Sequence, residues 1–434
     1  MTGVARLLRR AVDVREHEGA ALGWSCAYFF LVLASYYVIR PVRDEMGVAG
    51  GVENLAWLFT ATLAAMLLVH PLFTALVARL PRRRFVPLVY RIFIANLVAF
   101  FLAFRAADAA QAVWLGRVFF VWTSVFNLFV VSVFWSLVTD LYRPAQGQRL
   151  FGLVAVGGTA GAILGSSITA ALAHRLGPAN LLLASALLLE IAARAARALD
   201  GQADALARAA RDETGAPAPP RREHVIGGGV LDGIRDVIRS PYLLGISGLM
   251  LLFTVTSTFL YFQQAAIVGR ALDRAARTQL FAHIDLAVNV LTLGTQVFLT
   301  GRLLRRVGVG AALAVVPALS LLGFAVLGAA PVVAALVVVQ VLRRAANFAV
   351  QRPAREVLYT VLPRTEKYKA KNFNDTFVYR LGDQVGAWSY TAIAALGLGL
   401  SGLASTMVPA SALWLGLALW LGWRYRRALA ASGP

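Results

Sequence analysis

Apolar runs long enough to cross a lipid bilayer recur about twelve times along this chain, and that repetition constrains the fold more than any motif does. They begin near Ala21, Asn54, Phe85, Val113, Leu150, Asn180, Pro241, Leu280, Val309, Pro331, Lys371 and Thr406. A hydrocarbon core takes about 20 helical residues per crossing, and only helices or closed barrels satisfy their backbone within it. With 59% hydrophobic and 15% charged residues and a mean hydropathy of +0.68, a water-soluble globule of 434 residues is excluded. The expectation is an all-α membrane protein with twelve transmembrane helices in two six-helix bundles.

The formal net charge of +20 admits a nucleic-acid reading, but the basic residues sit in short loops. Arg9, Arg10, Arg82, Arg83, Arg84, Arg143, Arg149, Arg302, Arg305, Arg306, Arg424, Arg426 and Arg427 all fall on the side that also carries the N-terminus. About 28 Lys and Arg lie on that side and about 7 on the other, the bias that sets orientation. This predicts a multi-pass protein with both termini cytoplasmic and no nucleic-acid partner. The scarcity of lysine against abundant arginine and alanine points to a bacterial inner membrane. Cys26 is the single cysteine, which excludes an intrachain disulfide.

Residues 1–20 lack the apolar core of a signal peptide and read as a cytoplasmic leader. The long polar interval around GQADALARAARDETGAPAPPRREH has linker composition. It divides the chain into a first bundle at 21–197, a cytoplasmic linker at 198–239, a second bundle at 240–424 and a tail at 425–434. Two bundles around a midplane site suit a carrier that rocks between inward and outward access.

Charge inside apolar spans is costly and marks candidate sites. At the end of the first span, Arg40 and Arg43 share a helical face, with Pro41 expected to bend or end the helix and Asp44 beside them. A solvated helix end is the plainer alternative. The tenth span carries Arg343 and Arg344 about 18 Å past Pro331, then Arg352, Arg355 and Glu356, with Arg352 and Glu356 spaced to pair. Lys369 and Lys371 open the eleventh, followed by Asn374, Asp375, Arg380 and Asp383.

Four cations against one carboxylate in the tenth span leave positive charge that calls for an anionic partner. Phosphate or carboxylate fits, since arginine binds both in two-pronged fashion. Asp285 in the eighth span is the lone carboxylate best suited to carry a coupling proton. Asp44, Glu356, Asp375 and Asp383 are coupling or ion-pair candidates. Tyr36, Tyr37, Trp122, Trp135 and Trp388 are available to stack on a base, with packing as the plainer role. No enzyme motif is present, so no catalytic residue, cofactor or metal site is expected.

The motifs resemble those of the bacterial and plastid nucleotide transporters, the ATP/ADP translocase family, which is related to the major facilitator superfamily. Ile39-Arg40-Pro41-Val42-Arg43-Asp44 is similar to that family's LRDTKD motif. The stretch from Asn347 to Glu356 resembles KYSLFDPTKE, and Lys369 to Asp375 followed by Arg380-Leu381-Gly382 resembles KxKxxID with its xLGK pattern. Arg43 and Arg355 stand where the family has lysines, Asn347 where it has a lysine, Arg352 where it has an acid, and Asp383 where it has a base. The basic loops LPRRRF and RLLRRVG resemble the inter-helix loop of the wider superfamily without its acidic residue.

The resemblance implies nucleotide counter-exchange by alternating access through a monomer, in contact with membrane lipid, with phosphates held by basic residues of both halves. The redistributed charge keeps another phosphorylated or anionic solute open. Two further alternatives stand beside it. One is a proton-coupled facilitator of another organic anion or drug, and the other a non-transporting membrane scaffold or lipid-modifying enzyme.

Overall fold

The computed structural model describes residues 14, 18–79, 82–142, 144–202, 237, 239–362, 370, 371 and 373–431. Lys369, most of the expected leader and most of the expected linker lie outside the described residues. Every regular element among those described is helical. The first six helices are α1 (Gly19–Ala49), α2 (Leu55–Arg79), α3 (Arg82–Ala106), α4 (Ala109–Leu141), α5 (Pro144–Leu176) and α6 (Pro178–Asp200). Next come α7 (Pro241–Ala271), then α8 (Arg274–Thr295), which continues through a π-turn into α9 (Gly301–Arg306), and α10 (Gly308–Ala329). The last are α11 (Val333–Ala346), joined through a second π-turn to α12 (Arg352–Leu358), α13 (Tyr379–Ala395) and α14 (Leu400–Ala431).

Eleven of the resulting segments are long and apolar enough to span a bilayer. The one expected span outside that set, the eleventh, has at its heart α13, only 17 residues long and marked by Arg380, Asp383 and Gln384. A π-turn at Asn374–Val378 precedes it, and together they extend about 33 Å at 1.5 Å per residue. The polar face shortens the apolar stretch, not the helix.

Helix starts follow local chemistry. Asp108 caps α4, accepting from the Gln111 backbone at 2.8 Å while the Gln111 side chain accepts from the Asp108 N–H at 3.2 Å. Ser240 caps α7, and Pro241 occupies its first position, where the missing N–H is harmless. Pro41 neither bends α1 to a stop nor ends it: the helix runs on to Ala49. Val38, Ile39 and Val42 around it are fully buried, and that packing offsets the lost backbone bond. Arg40, Arg43 and Asp44 are therefore on a packed helix and not on a solvated end.

The chain forms two compact units. One comprises the described residues of 1–46, 64–223 and 274–286, the other those of 47–63, 224–273 and 287–434. In the first unit α5 lies backbone to backbone on α1. Gly157, Gly161 and Gly165 recur every four residues, and a Cβ on Gly161 would collide with the Phe30 carbonyl. Small residues at such spacing let membrane helices approach closely where hydrophobicity gives no preference between lipid and protein. Ser35 and Ser185 exchange hydrogen bonds between α1 and α6 at 2.8–3.0 Å, and Phe29 stacks on Phe134 with centroids 4.2 Å apart.

In the second unit Gly382 and Gly386 of α13 abut Thr254, Val255 and Thr258 of α7. The π-turns Gln296–Thr300 and Asn347–Gln351 touch there. Gln296 donates to the Phe348 carbonyl at 3.3 Å, and Thr300 to the Ala349 carbonyl at 2.7 Å. A π-turn leaves carbonyls outside the α-helical register, and these side chains supply donors to them.

Gly161→Val is expected to abolish accumulation of monodisperse protein in detergent, since overpacking of a tight contact costs about 1–3 kcal/mol or more. Gly152→Ala, on the same helix with no neighbour near its Cβ position, should leave the melting temperature unchanged or slightly raised. Equal tolerance at both positions would show that α1 and α5 do not pack through the glycines.

Candidate functional site

In the first unit, the end of α1 and the start of α8 bring charged residues together. Arg40 forms an ion pair with Asp285, whose side chain is only 2% exposed. Arg43 donates from Nη1 to Asp44 at 3.1 Å and holds its guanidinium 4.0 Å from the centre of the Phe120 ring. Fully buried Glu45 accepts from Arg274 Nε at 3.0 Å. Gln279 adds a bond to the Ala170 carbonyl at 3.2 Å. Tyr36 and Tyr37 meet edge to face one turn before Arg40, and the Arg40 guanidinium lies 5.7 Å from the Tyr37 ring centre.

The second unit holds most of the remaining candidates in three ion pairs and one core. Arg355 faces Asp375 at 3.6 Å, Lys371 meets Glu356 at 2.6 Å, and Arg380 meets Asp383 at 3.3 Å. The spacing of Arg352 and Glu356 predicted a pair within α12. Instead Glu356 takes Lys371, and Arg352 lies over the Phe348 ring at 4.8 Å. Asn374 is buried and fully engaged, accepting from Ser247 at 2.6 Å and donating to the Tyr359 hydroxyl at 3.0 Å. It holds the π-turn in place and does not present itself to a solute.

Arg343 departs furthest from expectation. It is 3% exposed and donates to Ser320 at 2.7 Å, Thr256 at 2.8 Å, Ser257 at 3.0 Å and the Phe253 carbonyl at 3.3 Å. Phe253 and Trp414 rings flank it at 5.4 and 5.9 Å. Among the described residues no carboxylate faces it, so neutral oxygens and ring faces carry its charge. Arg343 is thus a core residue joining α7, α10, α11 and α14, while its neighbour Arg344 is half-buried. Trp122 and Trp135 likewise pack in aromatic clusters of the first unit, with Phe93, Phe100 and Phe126 around one and Phe29, Phe134 and Phe151 around the other.

The excess of cations counted along the sequence is therefore largely met by carboxylates brought from elsewhere. Glu45 and Arg274 were missed as a pair, since nothing in the sequence links charges 229 residues apart. Chemically, an anion can compete with a carboxylate for a guanidinium that is already oriented. Two grades of pair are present. Lys371 and Glu356 are 37% and 46% exposed and yield readily, whereas Arg40 with Asp285 is buried and costly to part.

The model of the Major Facilitator Superfamily matches residues 19–351. The chain belongs to the major facilitator superfamily. It is accordingly a multi-pass membrane transporter and not an enzyme. A crystal structure of a bacterial homologue of the human lysosomal transporter Spinster, inward-facing and unoccupied, has a similar fold, with a TM-score of 0.53 at 14% identity over 96% of this chain and 97% of that one. A mutant of the nucleoside transporter NupG aligns with a TM-score of 0.49 at 13% identity, over 95% and 100% of the two chains. No curated protein sequence is significantly similar to this one.

Within this member of the superfamily, Arg40→Ala or Asp285→Ala is expected to lower stability by about 3–5 kcal/mol, because each strands a buried charge. The double variant should lose clearly less than the sum. Lys371→Ala should cost under about 1 kcal/mol. Thermal unfolding in detergent reads all four, and additive losses at Arg40 and Asp285 would dissolve the pair.

Proposed function

We propose that this transporter exchanges organic anions by alternating access, with nucleotides of the ATP/ADP type as the solute. The observation that carries the reading is the Arg40–Asp285 pair, which ties α1 of the first sequence half to α8 of the second. Without a solute the tie holds both helices, and reorientation of the empty carrier would have to break a buried pair. An incoming phosphate competes for the Arg40 guanidinium with equal charge and better two-pronged geometry, releasing Asp285 and the helix it belongs to. A carrier that moves only when loaded exchanges one anion for another. Arg43, Arg344, Arg352, Arg355, Lys369, Lys371 and Arg380 are the further basic residues proposed to guide phosphates toward this point. The two six-helix bundles, a bacterial inner-membrane location with cytoplasmic termini and a monomeric state complete the proposal.

A second reading has its own support in the same pair. Protonation of Asp285 would also release Arg40, which makes proton-coupled transport of another organic anion the rival.

The test is uptake of labelled ATP and ADP into proteoliposomes, preloaded with nucleotide or empty, for the wild type, Arg43→Ala and Asp285→Asn. Uptake is expected only into preloaded vesicles, to fall about tenfold in Arg43→Ala, as loss of a charge-assisted contact does, and to appear in empty vesicles for Asp285→Asn. Uptake driven by a proton gradient and indifferent to internal nucleotide would select the rival. Folded wild-type protein with no nucleotide uptake in either condition would sink the nucleotide assignment.

A further inference from the structure

Helix α13 carries three different chemistries on one face. Arg380, Gln384 and Trp388 follow one another at four-residue spacing, over about 12 Å of helix. The opposite face, marked by Gly382 and Gly386, is taken up by α7. An arginine and a glutamine on the free face argue against contact with lipid tails.

The start of α2, which belongs to the same unit, meets this face. Phe59 fixes it by packing on Tyr261 and Phe262 of α7 at 5.7 and 5.5 Å. Thr60 then reaches α13: its hydroxyl lies 2.9 Å from Gln384 Oε1 and 3.0 Å from the Ala56 carbonyl, which share its one hydrogen. The Trp388 indole N–H donates to the same Thr60 oxygen at 3.2 Å. Trp57 meets Trp388 edge to face with centroids 4.9 Å apart.

This clip does two things at once. It satisfies the polar atom of Trp388 while leaving the indole 37% exposed, so the ring is oriented but not enclosed. It also engages the carbonyl end of the Gln384 amide and leaves the NH2 end to other partners. Among the described residues that NH2 has no acceptor.

We propose that Arg380, Gln384 and Trp388 form a subsite for the planar heteroaromatic ring of the transported anion, with Thr60 as its positioning residue. The ring stacks on Trp388, and the Gln384 amide donates to acceptor atoms on the ring edge. Arg380, about 6 Å further along the helix, takes the first anionic group. Packing alone does not call for a donor with no acceptor between an arginine and an exposed tryptophan. The subsite rests on the anion-transport reading above and narrows it to solutes in which a base is joined to phosphate.

The experiment measures ligand-induced shifts in melting temperature of the full chain in detergent, titrated with ATP and with tripolyphosphate, which has the charge but no ring. The wild type is expected to bind ATP about tenfold more tightly than tripolyphosphate, the size of one base-stacking contact. Trp388→Leu and Gln384→Leu should bring the two affinities within about twofold by weakening ATP alone, and Trp388→Phe should keep most of the gap. The unliganded melt of each variant confirms that it is folded, and the milder Gln384→Asn serves if the leucine variant is not. A gap that survives in folded variants, or a parallel loss of both ligands, would overturn the subsite while leaving anion transport standing. Binding of tripolyphosphate but no preference for ATP in the wild type would overturn it too, and binding of neither would overturn the nucleotide reading along with it.

Discussion

A guanidinium inside a bilayer has no water to keep it company, and the protein must supply what water would have given. That single requirement organises the charged chemistry of this chain. Arg40 receives a carboxylate 245 residues away in sequence, the buried Glu45 receives Arg274, and Arg343 is surrounded by hydroxyls, a carbonyl and two rings. Each solution commits helices from distant parts of the chain to one another. The helices stay in place partly because separating them would leave a charge stranded at a cost of several kcal/mol.

These solutions differ in what they permit. Arg343 is held by many weak neutral partners on three other helices, so no single event releases it, and it behaves as a fixed point of its unit. Arg40 is held chiefly by one carboxylate of equal and opposite charge, so on the proposed reading one competing anion would suffice to release it. The two arginines thus differ in the number and charge of their partners as well as in their depth.

The fold was legible because transmembrane helices announce themselves through length and composition, and eleven segments met that criterion. The eleventh span was anticipated from the apolar stretch around its charges and is present as a π-turn followed by α13. Charge positions were equally plain, but their partners were not. A count of charges within the tenth span found too few carboxylates because Asp375 comes from the next span, and the acids that neutralise α1 and α8 are each other's. The halt expected at Pro41 failed for a related reason: local propensity was overruled by burial on several sides. The π-turns have no sequence signature of their own, and it is through one of them that Asn374 is drawn into the core.

The glycine ladder of α5 has a mechanical meaning for everything α1 carries. Side chains that interdigitate can re-pack by changing rotamer, but two backbones in direct contact through Gly157, Gly161 and Gly165 have no such slack. Helix α1 therefore cannot slide or roll against α5 by itself. A movement of α1 that carries Arg40 and Arg43 would take α5 with it, so the two helices act as one piece.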